Sequence, residues 1–83
     1  MKILYFSWIK DKLGKSQEMI QIDNNIKNVE NLIEFLKNKN EDYMKVFNDT
    51  SSIKISINME IASMNDNIND EDEVAFFPPM TGG

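Results

Sequence analysis

A single helical stripe between alternating segments is the feature that most constrains the fold of this chain. Val29, Leu32, Ile33 and Leu36 recur at the i, i+3, i+4, i+7 spacing of one apolar helix face. Asn28 stands directly before them, where its side chain can cap the first turn. One amphipathic helix can bury its stripe only against another element, and strand-like segments lie on both sides of it. The sequence therefore predicts an α+β fold.

Five segments alternate apolar and polar residues in the way that half-buried strands do. These segments are residues 2–8, 17–22, 53–58, 61–63 and 73–77. Residues 59–60 predict a tight turn, and residues 65–72 predict an acidic loop. The helix between the second and third strands provides the crossover that lets the first and last strands pair in parallel. This order predicts the β-grasp, or ubiquitin-like, fold: a mixed sheet with one main helix packed on one face.

The remaining segments carry weaker signals. Residues 9–14 predict a short polar connection or one helical turn that ends at Gly14, and residues 40–52 predict a second short turn. Trp8, at the end of the first predicted strand, is expected to cover the edge of the core. Methionines with no common spacing are expected to fill gaps in the core. Four of them are Met19, Met44, Met59 and Met64.

Alternation also sorts the aromatic residues of the first and last strands by sheet face. Phe6 is predicted to lie on the face opposite Ile3 and Tyr5, and Phe77 on the face opposite Phe76. An exposed aromatic pair on a small acidic protein suits a docking surface. The alternative is that Phe6 and Phe77 only cover each other.

The composition excludes several classes of function. The 83 residues can bury one core, so the chain is expected to be one domain. It has no histidine and no cysteine, which excludes Ser-His-Asp and Cys-His sites and removes the commonest metal ligands. Its three glycines do not form a phosphate-binding loop. We therefore expect no enzyme-like active site, no metal site and no cofactor bound by this chain.

Charge and hydropathy lead to expectations about partners and location. The net charge of −5 comes without any arginine and with scattered lysines, which argues against a nucleic-acid surface. The acidic balance fits a partner with a basic face, or it serves solubility alone. No apolar stretch approaches the ~18 residues of a membrane helix, and the zones of a signal peptide are absent. We expect no membrane association and a cytoplasmic location.

The most informative segment is the C-terminal one, Glu-Val-Ala-Phe-Phe-Pro-Pro-Met-Thr-Gly-Gly. Pro78 and Pro79 favour an extended course without needing hydrogen-bond partners. From Pro78 to Gly83 the chain could reach roughly 20 Å. We predict a folded domain over residues 1–79 and a flexible tail over residues 80–83, namely Met80, Thr81, Gly82 and Gly83. Such a tail can enter a narrow channel, because glycine has no Cβ and lets its backbone approach a wall closely.

The sequence resembles the small subunits of molybdopterin synthase, a family of ubiquitin-like sulfur carriers. The resemblance rests on the opening Ile-Leu-Tyr-Phe-Ser at residues 3–7, Leu-Gly at 13–14, Ile-Asn at 57–58 and the closing block at 70–83. The closing block is the most specific of these. The chain departs from the family where a glycine is frequent before the last strand, because Glu71 stands there, and it lacks an arginine-glutamate pair in the first connection.

The resemblance implies a complete cycle of sulfur transfer. An adenylating enzyme that uses ATP and magnesium would activate the carboxylate of Gly83, which would then become a thiocarboxylate. Gly83 would donate the sulfur to cyclic pyranopterin monophosphate inside the synthase large subunit, where the catalytic lysines are expected. Two small and two large subunits would form a heterotetramer. This chain would be the sulfur-donating subunit of an enzyme, without catalytic side chains of its own.

The resemblance also implies which residues meet the partner. The expected contact residues are Phe6, Ile61, Phe77, Pro78 and Pro79. Two alternatives stay open from the residues alone: a sulfur carrier for another pathway, such as thiamine thiazole synthesis, and a ubiquitin-like modifier or plain interaction module. The run Phe-Phe-Pro-Pro at residues 76–79 favours the molybdopterin interpretation.

Overall fold

Residues 1–79 are described by a computed structural model, and the predicted tail (Met80, Thr81, Gly82 and Gly83) lies outside the described residues. The strands are β1 (Lys2–Tyr5), β2 (Gln17–Met19), β3 (Lys54–Ile57), β4 (Glu60–Ala62) and β5 (Glu73–Phe77). The helices are α1 (Ser7–Leu13), α2 (Val29–Lys37) and α3 (Glu41–Phe47), with a 3-10 turn at Thr50–Ser52. No helix within residues 1–79 has the length and apolarity needed to cross a membrane.

The five strands form one mixed sheet in the order β2-β1-β5-β3-β4. The first and last strands of the chain pair in parallel, with Leu4 opposite Ala75, whereas the other three pairings are antiparallel. The crossover through α2 makes this parallel pairing possible. The predicted α+β class and β-grasp arrangement are confirmed. Strand β5, which ends at Phe77 just before the prolines, lies at the centre of the sheet.

Helix α2 covers one face of the sheet as its stripe predicts. Val29, Leu32, Ile33 and Leu36 are all buried. Asn28 caps the helix, because its Oδ1 accepts a hydrogen bond of 2.8 Å from the backbone N–H of Asn31. The predicted main helix is therefore confirmed in its position and in the face that it buries.

The first connection contains more helix than the sequence predicts. The prediction of a strand over residues 2–8 is wrong at its C-terminal end, because β1 stops at Tyr5 and helix α1 begins at Ser7. The φ of Ser7 is 57°. Helix α1 ends at Gly14, as predicted, in the left-handed region with φ 74°. Trp8 packs partly buried against the core from α1 and not from a strand. Ile9 is fully buried within α1, so tertiary packing favours the helix here over the local alternation.

The segment between α2 and β3 contains helix α3, which packs against the core. Tyr43, Val46 and Phe47 are buried there, which confirms a second helical segment. The expectation that methionines fill core gaps is wrong for three of four. Their side chains are 50% exposed at Met44, 73% at Met19 and 89% at Met59; Met64 does pack against the core.

The third and fourth strands follow the predicted order with a shift of one residue at the turn. The turn residues are Asn58 and Met59, with φ of 51° and 71°, so that β4 begins at Glu60. Two successive residues with positive φ match the backbone twist that a two-residue hairpin needs. Strand β2 is also shorter than predicted, although Ile20 and Ile22 pack on the core as expected.

Candidate docking face beside the C-terminal strand

The sheet face remote from helix α2 carries an open apolar groove along β5. The backbone register places Leu4, Ala75 and Ser56 side by side across β1, β5 and β3. Phe6, Phe77 and Pro78 line one end of the groove. Glu73 and Met59 line the other end. We call this set the apolar groove: Leu4, Phe6, Ser56, Met59, Glu73, Ala75, Phe77 and Pro78.

Three of the five predicted contact residues meet at the end of the groove where β5 ends. Phe6, 47% exposed, Phe77 and Pro78 line it together. The backbone N–H of Phe6 donates to the carbonyl oxygen of Phe76 at 3.1 Å, which continues the pairing of the two strands past β1. This bond fixes Phe6 beside the exit of the C-terminal strand. The alternation that puts Phe6 and Phe77 on the outer face is confirmed.

The other two predicted contact residues do not line the groove. Ile61 is 74% exposed and pairs with Ser56, so one strand separates it from Ala75. It lines a neighbouring, more polar depression instead. Pro79 is half-buried and follows the groove in the chain without lining it.

Sequence reasoning missed several residues of the groove. Leu4 and Ala75 share the period-2 alternation of Phe6 and Phe77, so the pattern contained the signal for both. Met59 gave no such signal, because it sits in the turn, where alternation is interrupted. Its position depends on the positive φ of the turn, which the sequence does not indicate for a methionine.

The position of Phe77 depends on the aromatic packing under its neighbour. Phe76 is fully buried, with its ring centroid 6.1 Å from that of Tyr5 in a stacked pair and 5.0 Å from that of Phe47 in an edge-to-face pair. Since successive strand residues point to opposite faces, fixing Phe76 inward holds Phe77 outward. The packing of Phe76 in the core therefore fixes the side chain of Phe77 in the groove.

A second cluster of polar and ionisable side chains surrounds Glu18 in the edge strand β2. Its carboxylate accepts hydrogen bonds of 2.6 Å from the hydroxyls of Tyr5 and Tyr43 and of 3.0 Å from Lys39 Nζ. Lys15 Nζ lies 3.8 Å away. Every strong donor around the carboxylate is therefore engaged within the network.

The hydrogen bonds of this cluster shift the pKa values of Glu18 and Tyr5. Burial alone would raise the pKa of Glu18, but hydrogen bonds from Tyr43, Tyr5 and Lys39 outweigh it and hold the pKa below its usual range. Burial, with the bond to the Glu18 carboxylate, raises the pKa of Tyr5 far above its usual value. Because the bonds to the Glu18 carboxylate join strand β2 to β1 and to helix α3, the cluster stabilises the fold.

No group of three or more acidic side chains within residues 1–79 is arranged to hold a metal ion. The geometry that remains is an apolar groove leading to the C-terminal segment. A model of the ThiS family matches residues 3–83. The chain belongs to the ThiS family. The match extends over the four residues of the predicted tail.

One curated relative of this ThiS-family chain is the molybdopterin synthase sulfur carrier subunit of Escherichia coli (strain K12). It is 28% identical over 83 residues, which cover 100% of this chain and 99% of the relative. This similarity over the full length agrees with the family resemblance read from the sequence motifs.

Two solved structures share the fold of this ThiS-family chain. SAMP1 from Haloferax volcanii superimposes with a TM-score of 0.78 at 24% identity, covering 100% of this chain and 98% of that one. A complex of subunits 1 and 2 of molybdopterin-converting factor from Helicobacter pylori 26695 contains a chain with a TM-score of 0.66 at 20% identity, with coverage of 99% and 96%. At these identities the likeness establishes the β-grasp fold alone.

Proposed function

We propose that this chain is a sulfur carrier in molybdenum cofactor biosynthesis, the small subunit of a molybdopterin synthase. The observation that carries the proposal is the junction of the apolar groove with the C-terminal strand. Strand β5, held on both sides within the sheet, delivers the chain to Pro78 beside the exposed Phe6 and the half-buried Phe77. A partner that docks on this groove would receive the last four residues directly. Membership in the ThiS family, together with the full-length similarity to a molybdopterin synthase sulfur carrier subunit, supports the same role.

The chemistry assigned to Gly83 follows from the poor leaving ability of oxide. A carboxylate cannot exchange oxygen for sulfur directly. In the proposed first step a carboxylate oxygen of Gly83 attacks the α-phosphate of ATP on an adenylating partner, with magnesium, and pyrophosphate leaves. A sulfur donor then attacks the acyl carbon, AMP leaves, and a thiocarboxylate remains. Gly82 and Gly83 have no Cβ, so they add no side-chain bulk around this carbon.

The second half of the cycle takes place in the large subunit. There the thiocarboxylate sulfur attacks a carbon of cyclic pyranopterin monophosphate and displaces an oxygen leaving group from it, which gives a thioester between Gly83 and the pterin. Water then cleaves the thioester, so that the sulfur stays on the pterin as a thiolate and the carboxylate of Gly83 is regenerated. Large-subunit lysines would supply the catalytic side chains, so this chain contributes the sulfur and the docking face. Because a dithiolene needs two sulfur atoms, we propose a heterotetramer of two small and two large subunits in the cytoplasm.

The groove gives the proposed complex its contact. Phe6, Phe77 and Pro78 are the central anchors, with Pro79 and Ile61 at the margin, because the latter two do not line the groove. Partly exposed aromatic side chains that become buried on docking carry a large share of the binding free energy of an interface.

Deletion of Gly83 tests the proposal. The shortened chain should keep its urea midpoint and its affinity for the large subunit, since the core and the groove described within residues 1–79 are unaltered, but it should lose all sulfur transfer. The matched control is Phe77→Ala, which keeps the terminal carboxylate and should instead lose affinity. Sulfuration of the pterin precursor by the deletion variant would refute the role of Gly83.

The two alternatives predict different products from the same activated terminus. A carrier for thiamine thiazole synthesis would form the thiocarboxylate but would not sulfurate the pterin precursor. A ubiquitin-like modifier would join Gly83 to lysine amines of other proteins through isopeptide bonds. The acceptor of the group that Gly83 transfers, and not the fold, distinguishes the proposed function from its two alternatives.

A further inference from the structure

The turn between β3 and β4 presents a methionine in a backbone conformation that methionine disfavours. Asn58 and Met59 both have positive φ, 51° and 71°. Asparagine adopts this region readily, but for a side chain such as methionine it costs roughly 1–2 kcal/mol. Met59 is also 89% exposed, so that packing within the domain does not offset this cost. The stability of the domain does not explain a methionine here.

The turn is held firmly in place by its first residue. The backbone N–H of Asn58 donates to the carbonyl oxygen of Glu73 at 2.8 Å, and its Oδ1 accepts from the N–H of Glu73 at 3.0 Å. Its Nδ2 also donates to Asp72 Oδ1 at 2.9 Å. These three bonds tie the turn to the start of β5. Met59 is therefore set at a fixed point of the apolar groove, at the end remote from Phe77.

The groove end that carries Met59 is acidic. Asp72 Oδ1 accepts a hydrogen bond from the side chain of Asn58, the residue before Met59, and Glu73 lines the groove at this end. Glu73 lies 3.9 Å from Lys2 Nζ, and both side chains remain partly exposed. Glu60, although it follows Met59, pairs with Ile57 and so lies on the opposite face of the sheet. Together with the net charge of −5, the acidic rim of Asp72 and Glu73 favours basic side chains on a partner that covers Met59.

We propose that Met59, with the acidic rim of Asp72 and Glu73, is a second anchor of the docking face. Its occupant is a partner protein that presents an apolar contact flanked by lysine or arginine side chains. The inference rests on the proposed function, because it takes the synthase large subunit as that partner. A methionine side chain is unbranched and flexible, and it fills an apolar hollow on a partner without a strict demand on shape. The pinned turn reduces the backbone entropy lost on binding.

The decisive variant is Met59→Asn, because it should move stability and affinity in opposite directions. Asparagine suits positive φ, so the urea midpoint should stay the same or rise. Affinity for the purified large subunit, measured by calorimetry, should fall about tenfold. The matched control is Met44→Gln, which alters another exposed methionine on helix α3 and should leave the affinity unchanged. A merely structural role for Met59 would lower both quantities together.

The acidic rim has its own test in the association rate. Glu73→Gln should slow association with the large subunit several-fold at low salt, and the difference should vanish at high salt. Glu34→Gln removes the same charge from the exposed side of helix α2 and should have no such effect.

The possible outcomes separate this inference from the proposed function. Unchanged affinity of Met59→Asn, with a weakened Phe77→Ala, would overturn the second anchor and leave the docking face intact. Unchanged affinity of both variants would refute the docking face itself. If the free chain instead self-associates in sedimentation experiments and Met59→Asn abolishes this, the occupant is a second copy and the proposal is wrong.

Discussion

Phe76 and Phe77 are consecutive residues of β5 with opposite environments, and we predict that replacing each by alanine separates stability from binding. Phe76 is fully buried between the rings of Tyr5 and Phe47. Truncation of a buried phenylalanine costs about 3–5 kcal/mol, as the sum of lost transfer energy and the cavity that remains. At roughly 0.05–0.15 kcal/mol per residue, a chain of this length has on the order of 4–12 kcal/mol of stability. Phe76→Ala should therefore remove about a quarter or more of it.

Phe77→Ala should have the converse effect. Its side chain lies on the open face and lines the apolar groove, so its loss leaves no cavity in the core. The free energy of unfolding should change by less than about 1 kcal/mol. Binding to the large subunit should weaken by about 2 kcal/mol, or roughly 30-fold in Kd, as for a buried aromatic anchor.

Urea denaturation followed by circular dichroism gives the stabilities, and titration calorimetry gives the affinities. If Phe76→Ala is too unstable to purify, Phe76→Leu should still lose about 1–2 kcal/mol and keep the affinity of the wild type. Equal losses of stability at the two positions would refute the assignment of faces. A normal affinity for Phe77→Ala would remove Phe77 from the docking face.

Two further predictions concern the interior and a helix end. Glu18→Gln should cost about 2–4 kcal/mol in urea unfolding, since two tyrosine hydroxyls and Lys39 lose their ionised acceptor. Because folding lowers the pKa of Glu18, its contribution to the stability of the fold is present above the unfolded pKa of about 4.3 and is lost as the pH falls through the folded value. If acid lowers the thermal midpoint of the variant as much as that of the wild type, this reasoning is contradicted. Gly14→Ala should lower the thermal midpoint by about 4–8 °C, the effect of ~1 kcal/mol, because φ is 74° there and open space around the new Cβ leaves strain as the cause. An unchanged midpoint would argue against the left-handed helix end.

The elements that sequence reasoning found are those in which periodicity and burial agree. Helix α2 was predictable because its stripe and its Asn28 cap point to the same boundaries. Helix α1 was not, because the alternation of β1 continues formally past Tyr5 while long-range burial of Ile9 decides the conformation. Local pattern is a weak guide wherever tertiary packing overrides it.

The docking face was predictable only along its strands. Phe6 and Phe77 follow from alternation and meet at the groove, but Ile61 lies one strand away from Ala75 in a separate depression. That distinction depends on which strands are neighbours, which alternation does not encode. Met59 depends on a strained turn, which a propensity rule assigns to glycine or asparagine. The interpretation of Gly83 rests on its chemistry and on family membership.

Intact mass spectrometry of the chain after incubation with its adenylating enzyme, ATP, magnesium and a sulfur source tests the sulfur-carrier role most directly. The account predicts a gain of about 16 Da, the replacement of one oxygen by sulfur, located at Gly83 and absent when ATP is omitted. An unchanged mass, or adducts of the size of a second protein joined through Gly83, would contradict it.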